Sequence, residues 1–276
     1  MSFRILLYIT LFTAVASCKK EDYEIVNLSG NKVLAYGHGG MRNSPLYPIN
    51  SLESVSKCIS LGADGVEVDI QMTADGEFVA YHDRFLSSLT NKSGKPHELT
   101  LSQVTSASYE YIPYTDYKIA SLESILLLIA GREKRISLDC KAYIDDYSYA
   151  EKRVFFEKYA TQLIKILDKY ELNSKVTIET QAPELIEYLN SKSDYLIYYY
   201  PFSVAEAWSK NKNFEFDGIS IDNEHISKEE VVEFHKKGLK VILWGTSSNK
   251  ENEEAMRKSP DMIQSAKVKH LVKITR

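Results

Sequence analysis

A closed (β/α)8 TIM barrel, with a β-hairpin and a loop insertion after its second strand, is the fold this sequence predicts. Three observations lead there. Eight segments of strand character, near residues 33, 65, 135, 175, 195, 217, 240 and 261, alternate with helical segments. The length of 276 residues suits one barrel of ordinary size. Chemistry-bearing residues (His38, Glu67, Asp69, Asp139, Lys141, Glu179, Asp222 and Trp244) fall at or near the C-terminal ends of those strands, where barrel enzymes place their sites.

Taken in order, residues 1–17 read as a targeting segment. Arg4 gives a basic start, and residues 5–16 form an apolar run too short to span a bilayer. The run ends in Val15-Ala16-Ser17-Cys18, which resembles the lipobox of bacterial lipoproteins, in which the cysteine carries lipid and becomes the mature N-terminus. The resemblance implies lipidation at Cys18, a charged tether over residues 18–30, and a lipid-anchored protein of the bacterial cell envelope. An ordinary secretory signal with a chance cysteine is the competing reading. The barrel domain then occupies residues 31–276.

Residues 33–37 form the first strand, which ends at His38-Gly39-Gly40. Asn50 or Ser51 caps a helix whose apolar face is Leu52, Val55, Ile59 and Leu61, and Gly62 ends it. In the second strand Val66, Val68 and Ile70 alternate with Glu67, Asp69 and Gln71, so one face is apolar and the other carries two carboxylates. Asp75-Gly76 is a hairpin turn. A turn so short cannot cross over to a parallel strand, so residues 78–81 run back and deliver His82-Asp83 beside the carboxylates. Residues 84–120 read as a long irregular segment of lid or binding-loop type. A helix over 121–130 and a strand over 135–139 follow, then a long amphipathic helix over 147–170. The remaining strands and helices alternate: 175–179 and 182–189, 195–200 and 203–209, 217–222 and 228–237, 240–244 and 250–258. A short strand at 261–264 and a tail helix close the domain.

Composition narrows the function. Apolar content is 44%, charged content 26% and formal net charge −4; with no basic stripe, nucleic acid is not the expected partner. The 19 tyrosines, including Tyr198-Tyr199-Tyr200, suit strand and interface packing. Cys58 lies on the apolar face of the first helix, and alternation turns Cys140 away from the side that Asp139 and Lys141 face, so neither reads as a metal ligand. His97, His225, His235 and His270 read as surface or loop residues.

Glu67 and Asp69, two apart on a strand, point into the barrel, and Asp139 on the next barrel strand can reach them. Three carboxylates drawn together need a counter-charge. With only oxygen donors at hand, a hard divalent cation, Ca²⁺ or Mg²⁺, is the natural one, rather than zinc; pairing with Lys141 is the plainer reading. His38 and His82 reach the same rim from separate segments and suit acid–base work near neutrality.

Several stretches, in order, resemble the glycerophosphodiester phosphodiesterases: His38-Gly39-Gly40, Asn50-Ser51, Gly62-Ala63-Asp64-Gly65-Val66-Glu67-Val68-Asp69, Thr73-Ala74-Asp75-Gly76, His82-Asp83, Asp139-Cys140-Lys141 and the run from Gly238 to Trp244. The resemblance extends over about residues 31–265. It implies a barrel with a hairpin insertion and a divalent cation held by Glu67, Asp69 and Asp139. It implies His38 and His82 as the catalytic acid–base pair, and Lys141 on the phosphate, with Glu179 and Trp244 as further substrate-binding candidates. The implied reaction is hydrolysis of a small-molecule phosphodiester to glycerol 3-phosphate and an alcohol.

The sequence also departs from the family pattern. Gly39 stands where the family usually has a phosphate-binding arginine, Ile49 where it usually has glutamate, and Asp139 where the third metal ligand is usually glutamate. Arg42 and Arg84 are the candidates to replace the missing guanidinium. These departures keep two alternatives open: a phosphodiesterase of different substrate, of lysophospholipase D or phospholipase C type, and a non-catalytic ligand-binding lipoprotein.

Overall fold

The computed structural model describes residues 22–111, 113, 114 and 116–276; Cys18 and the leader lie outside the described residues. The strands in chain order are β1 (Leu34–Gly37), β2 (Gly65–Met72), β3 (Phe78–Ala80), β4 (Ala120–Ser121), β5 (Arg135–Cys140), β6 (Val176–Thr180), β7 (Leu196–Tyr199), β8 (Gly218–Asp222), β9 (Lys240–Thr246) and β10 (Met262–Ser265). Eight of them pair in parallel, β1-β2-β5-β6-β7-β8-β9-β10, and β10 returns to β1, so the barrel is closed. The remaining two, β3 and β4, continue the sheet antiparallel from the upper half of β2, where Ile70 faces Ala80 and Met72 faces Phe78.

Helices α1 (Leu52–Ser60), α3 (Leu122–Ala130), α4 (Tyr149–Lys169), α5 (Pro183–Lys192), α6 (Val204–Asn211), α7 (Lys228–Lys236), α8 (Asn249–Arg257) and α9 (Val268–Ile274) surround the barrel, and the five-residue α2 (Leu101–Thr105) lies in the insertion. Their starts are chemically marked: Ser51, Ser121, Ser148, Ser203, Ser227 and Ser248 each accept an amide N–H of the first turn. Ser51, not Asn50, is the cap of α1. The main core lies between strands and helices, where Val66, Val68 and Ile70 pack with Val55, Cys58, Ile125, Leu163 and Leu185, all fully or nearly fully buried. Each such aliphatic side chain contributes roughly 1.5–3 kcal/mol over remaining exposed, so this outer layer holds the barrel and leaves its rim free for polar groups. The lower barrel interior is plugged by Tyr36, Tyr198, Ile242 and Met262. The Tyr36 ring lies where a Cβ on Gly65 would stand, which is why that strand position is glycine.

Residues 84–120 depart from the irregular segment expected. They hold two short 3-10 turns, α2 and a small separate core of Val79, Tyr81, Leu86, Val104, Ala107, Tyr109 and Ile119. Two of the histidines read as surface or loop residues are also largely buried. His97 lies edge-on to the rings of Tyr147 and Phe155, and His235 places Nε2 2.9 Å from the buried Asp261 carboxylate. Helical periodicity fixed neither, because each is covered by an element distant in sequence. No helix among the described residues is long and apolar enough to cross a membrane.

Candidate active site

The C-terminal rim of the barrel opens into a cleft of about 110 Å³ lined by His38, Arg42, Glu67, Asp69, His82, Asp139, Lys141, Glu179, Tyr200, Trp244 and Gln264. All eight catalytic, metal and substrate-binding candidates read from the sequence meet in it. Asp222, at the end of β8, does not line it; its carboxylate instead accepts the Glu224 amide and lies against Gly245.

Strand register builds the acidic wall. Asp69 pairs with Asp139 across β2 and β5, and Asp139 with Glu179 across β5 and β6, so the three stand in one layer, with Glu67 one layer below. Glu67, Asp69 and Asp139 are buried and offer carboxylate oxygens that all lie within 4.8 Å of one another. Lys141 Nζ is 2.6 Å from Asp139 and 3.4 Å from Asp69. Burial works against its charge, but the two carboxylates outweigh that and hold its pKa above the ordinary lysine value. Burial also pushes the Asp69 carboxyl upward, yet Lys141, His82 and the Asn50 hydrogen bond prevail and keep it below its usual value. Glu67 has no such neighbour. Burial first, then Asp69 and Asp139, raise its pKa well above the carboxylate range, although the Gly39 amide donates to it at 2.7 Å. Asp139 is likewise raised, by burial, with Lys141 opposing. Beside Asp139, Glu179 accepts from Ser137 and, at 2.5 Å, from Gln264. Burial and Asp139 push it up to about 7. This crowding of partly uncompensated oxygen donors is what a hard divalent cation would relieve.

The histidines enter from separate segments. His38 follows β1, its side chain is 14% exposed, and its Nε2 lies 3.9 Å from Glu67 and accepts from Arg42 Nη1 at 2.7 Å. Burial, then Arg42, lowers its pKa to about 3, so the ring is neutral at pH 7. His82 follows β3, and its Nδ1 is paired with Asp83 at 2.8 Å, which orients the ring and leaves Nε2 for the cleft. Gln71 fixes this turn by donating to the carbonyls of Tyr81 and Asp83, and Tyr143 donates its hydroxyl to the His82 carbonyl.

Three contributors were missed in the sequence: Asn50, Gln264 and Tyr200. Asn50 sits at φ +64° and clasps Asp69, donating its amide to Oδ2 and accepting the Asp69 N–H. Asn tolerates that left-handed backbone better than most residues, and its place just before a helix cap was the available signal. Gln264, a long polar side chain after Met262 and Ile263, could have been noticed near the end of β10. The tyrosine run splits three ways: Tyr198 fills the barrel floor, Tyr199 stacks on Phe216 outside it, and Tyr200 lines the cleft beside Lys141 and Trp244. Arg42 lines the cleft, whereas Arg84 lies over the Tyr143 ring and pairs with Asp145 outside it.

A barrel whose rim gathers carboxylates, histidines and a lysine in one cleft is built as an enzyme. The sequence model of the glycerophosphoryl diester phosphodiesterase family matches residues 39–267; the chain belongs to that family and is thereby a phosphoric diester hydrolase. It is 25% identical over 233 residues to a glycerophosphodiester phosphodiesterase of Caldanaerobacter subterraneus subsp. tengcongensis, covering 83% of this chain and 91% of that one. Among solved structures, an Oleispira antarctica phosphodiesterase in complex with the product sn-glycerol-3-phosphate superposes with a TM-score of 0.77 at 16% identity, over 88% of this chain and 96% of that one. A glycerophosphodiester phosphodiesterase from Parabacteroides distasonis gives 0.71 at 18% identity, over 88% and 96%. These two share the fold.

Proposed function

We propose that this protein hydrolyses glycerophosphodiesters to glycerol 3-phosphate and an alcohol, with His38 and His82 as base and acid at a cleft that holds a divalent cation. The observation that carries the proposal is the meeting, in one small cleft, of three buried carboxylates with two histidines from separate segments. The oxygen-only donor set, with Glu67 lacking a cationic neighbour, fits a hard cation such as Ca²⁺ or Mg²⁺ held by Glu67, Asp69 and Asp139. When bound, such an ion supplies positive charge for the phosphoryl oxygens as negative charge builds on them.

The protein's own groups do the rest. Lys141, fixed between Asp69 and Asp139, presents an ammonium to the phosphate. His38, neutral in its buried setting, offers a lone pair to the proton of the attacking hydroxyl or water. His82, with Nδ1 tied to Asp83, has Nε2 available to protonate the leaving alkoxide. Tyr200 and Trp244 wall the cleft in edge-on contact, 5.2 Å between centroids, and limit water beside the reacting groups.

The test is release of glycerol 3-phosphate from glycerophosphocholine and glycerophosphoinositol, against lysophospholipids, with magnesium or calcium and with chelator. Metal-dependent hydrolysis of the first pair is expected; no hydrolysis of any phosphodiester with metal bound would sink the reading in favour of a binding protein. The Val15-Ala16-Ser17-Cys18 sequence supports a second part of the proposal, that Cys18 carries lipid and holds the enzyme at the bacterial cell envelope. Metabolic labelling with a fatty acid should mark the wild type and not Cys18→Ala.

A further inference from the structure

Two departures from the family pattern touch one another. Gly39 has φ +53°, and a Cβ there would lie inside the Ile49 side chain. No side chain of any kind fits at position 39, so the apolar Ile49 closes the place from which a guanidinium would reach. The loop that carries them is tightly fixed. Gly39 donates its N–H to Glu67, the Gly39 carbonyl accepts from Asn50 N and Ser54 Oγ, and Met41 N–H donates to Ser54 Oγ. The chain then turns back, Arg42 N–H donating to the His38 carbonyl at 3.2 Å. That turn delivers the Arg42 side chain over His38.

Arg42 is the arginine of the cleft, and among the described residues it forms no ion pair with a carboxylate. Its Nη1 donates at 2.7 Å to the Nε2 lone pair of His38. A guanidinium that spends a charge-assisted donor on a neutral imidazole has a better partner in any oxyanion that enters. In the same cleft the indole N–H of Trp244 is buried with no acceptor among the described residues, a second donor that a bound oxygen would satisfy.

We infer that Arg42 is the phosphate clamp of this enzyme, supplied from three residues beyond the usual place, and that it rests on His38 until a phosphoryl oxygen draws it away. The exchange is of hydrogen bonds alone: Arg42 Nη1 leaves His38 Nε2 for the oxyanion, and the freed lone pair faces the nucleophile. The His38 lone pair is therefore covered in the free enzyme and uncovered by the substrate's own phosphate. This rests on the phosphodiesterase reading above, but it concerns anion binding and can fail separately.

The experiment is calorimetric titration of inorganic phosphate and of glycerol 3-phosphate into the wild-type protein, Arg42→Ala, Arg42→Lys and Arg84→Ala, with magnesium present. Arg42 is exposed, so its variants should keep the wild-type melting curve. Affinity should fall about tenfold to a hundredfold in Arg42→Ala, less in Arg42→Lys, and not in Arg84→Ala. Added methylguanidinium should restore part of the loss. Unchanged affinity in Arg42→Ala overturns the clamp. In the ¹⁵N spectrum phosphate should move the His38 Nε2 resonance of the wild type; an unmoved resonance overturns the exchange. If the wild type binds phosphate through Arg42 yet cleaves no phosphodiester, the proposed reaction fails and the clamp stands.

Discussion

The two walls of the cleft are made differently. The acidic wall stands on β2, β5 and β6, where register fixes Asp69, Asp139 and Glu179 in one layer and the pleat turns each inward. The adjoining wall is a loop, residues 38–50, held by hydrogen bonds to Glu67 and from Ser54 and Asn50 and filled by Ile49. A strand carries its chemistry at positions that neighbouring strands dictate. A loop can move a charged group by three residues and still point it at the same spot, provided its own packing changes in step. The Gly39 and Ile49 pair is that change.

The contrast can be broken at several depths. Removing the cation should have the largest effect: chelation should abolish hydrolysis, and added magnesium or calcium should restore it. His38→Ala and His82→Ala should each lower kcat by about 10²–10⁴-fold with the unfolding midpoint unchanged; near-normal turnover in either removes that residue from the mechanism. Asn50→Ala cuts the clasp that joins loop to strand at Asp69, and metal affinity, read by calcium titration, should fall by about 10–100-fold. Gly39→Ala forces a Cβ into Ile49 at positive φ and should cost about 1–3 kcal/mol in urea unfolding. Ile49→Ala in the same chain should return part of that cost, and strict additivity of the two would show that they do not share the space.

The smallest effect lies at the hairpin turn. Burial pushes the Asp75 carboxyl up, but hydrogen bonds from Thr73 and the Leu101 amide together outweigh it and hold its pKa below the ordinary value. Its contribution is therefore present above the usual carboxylate range and is lost as pH falls through the lowered pKa. Asp75→Asn should cost about 0.5–1.5 kcal/mol at neutral pH, and less in acid, by denaturation at both pH values.

How far the sequence could be read follows the same divide. Alternation in residues 66–71 and the Asp139-x-Lys141 spacing made the acidic wall legible, since period two states which way a side chain points. The eight barrel strands were legible for the same reason, to within a residue or two at their ends. Tyr200 was not, because the side of the barrel it faces depends on strands far away in sequence, and the choice between Arg42 and Arg84 stayed open because a loop has no period. His235 escaped notice for a related reason: its burial is decided by Asp261, 26 residues later. The insertion read as irregular because its core draws single residues from scattered short turns.

That insertion has a consequence for how the enzyme fails. Its small core of Val79, Tyr81, Leu86, Val104, Ala107, Tyr109 and Ile119 is separate from the barrel core, so it is suited to open as a cooperative unit of its own at lower free energy than the barrel. His82 follows Tyr81 directly, and its position depends on that unit staying closed. Heating should therefore silence the enzyme before the barrel melts, with amides of residues 86–109 exchanging with deuterium ahead of those in β5 and β6. Coincident loss of activity and of barrel protection would show one cooperative unit instead.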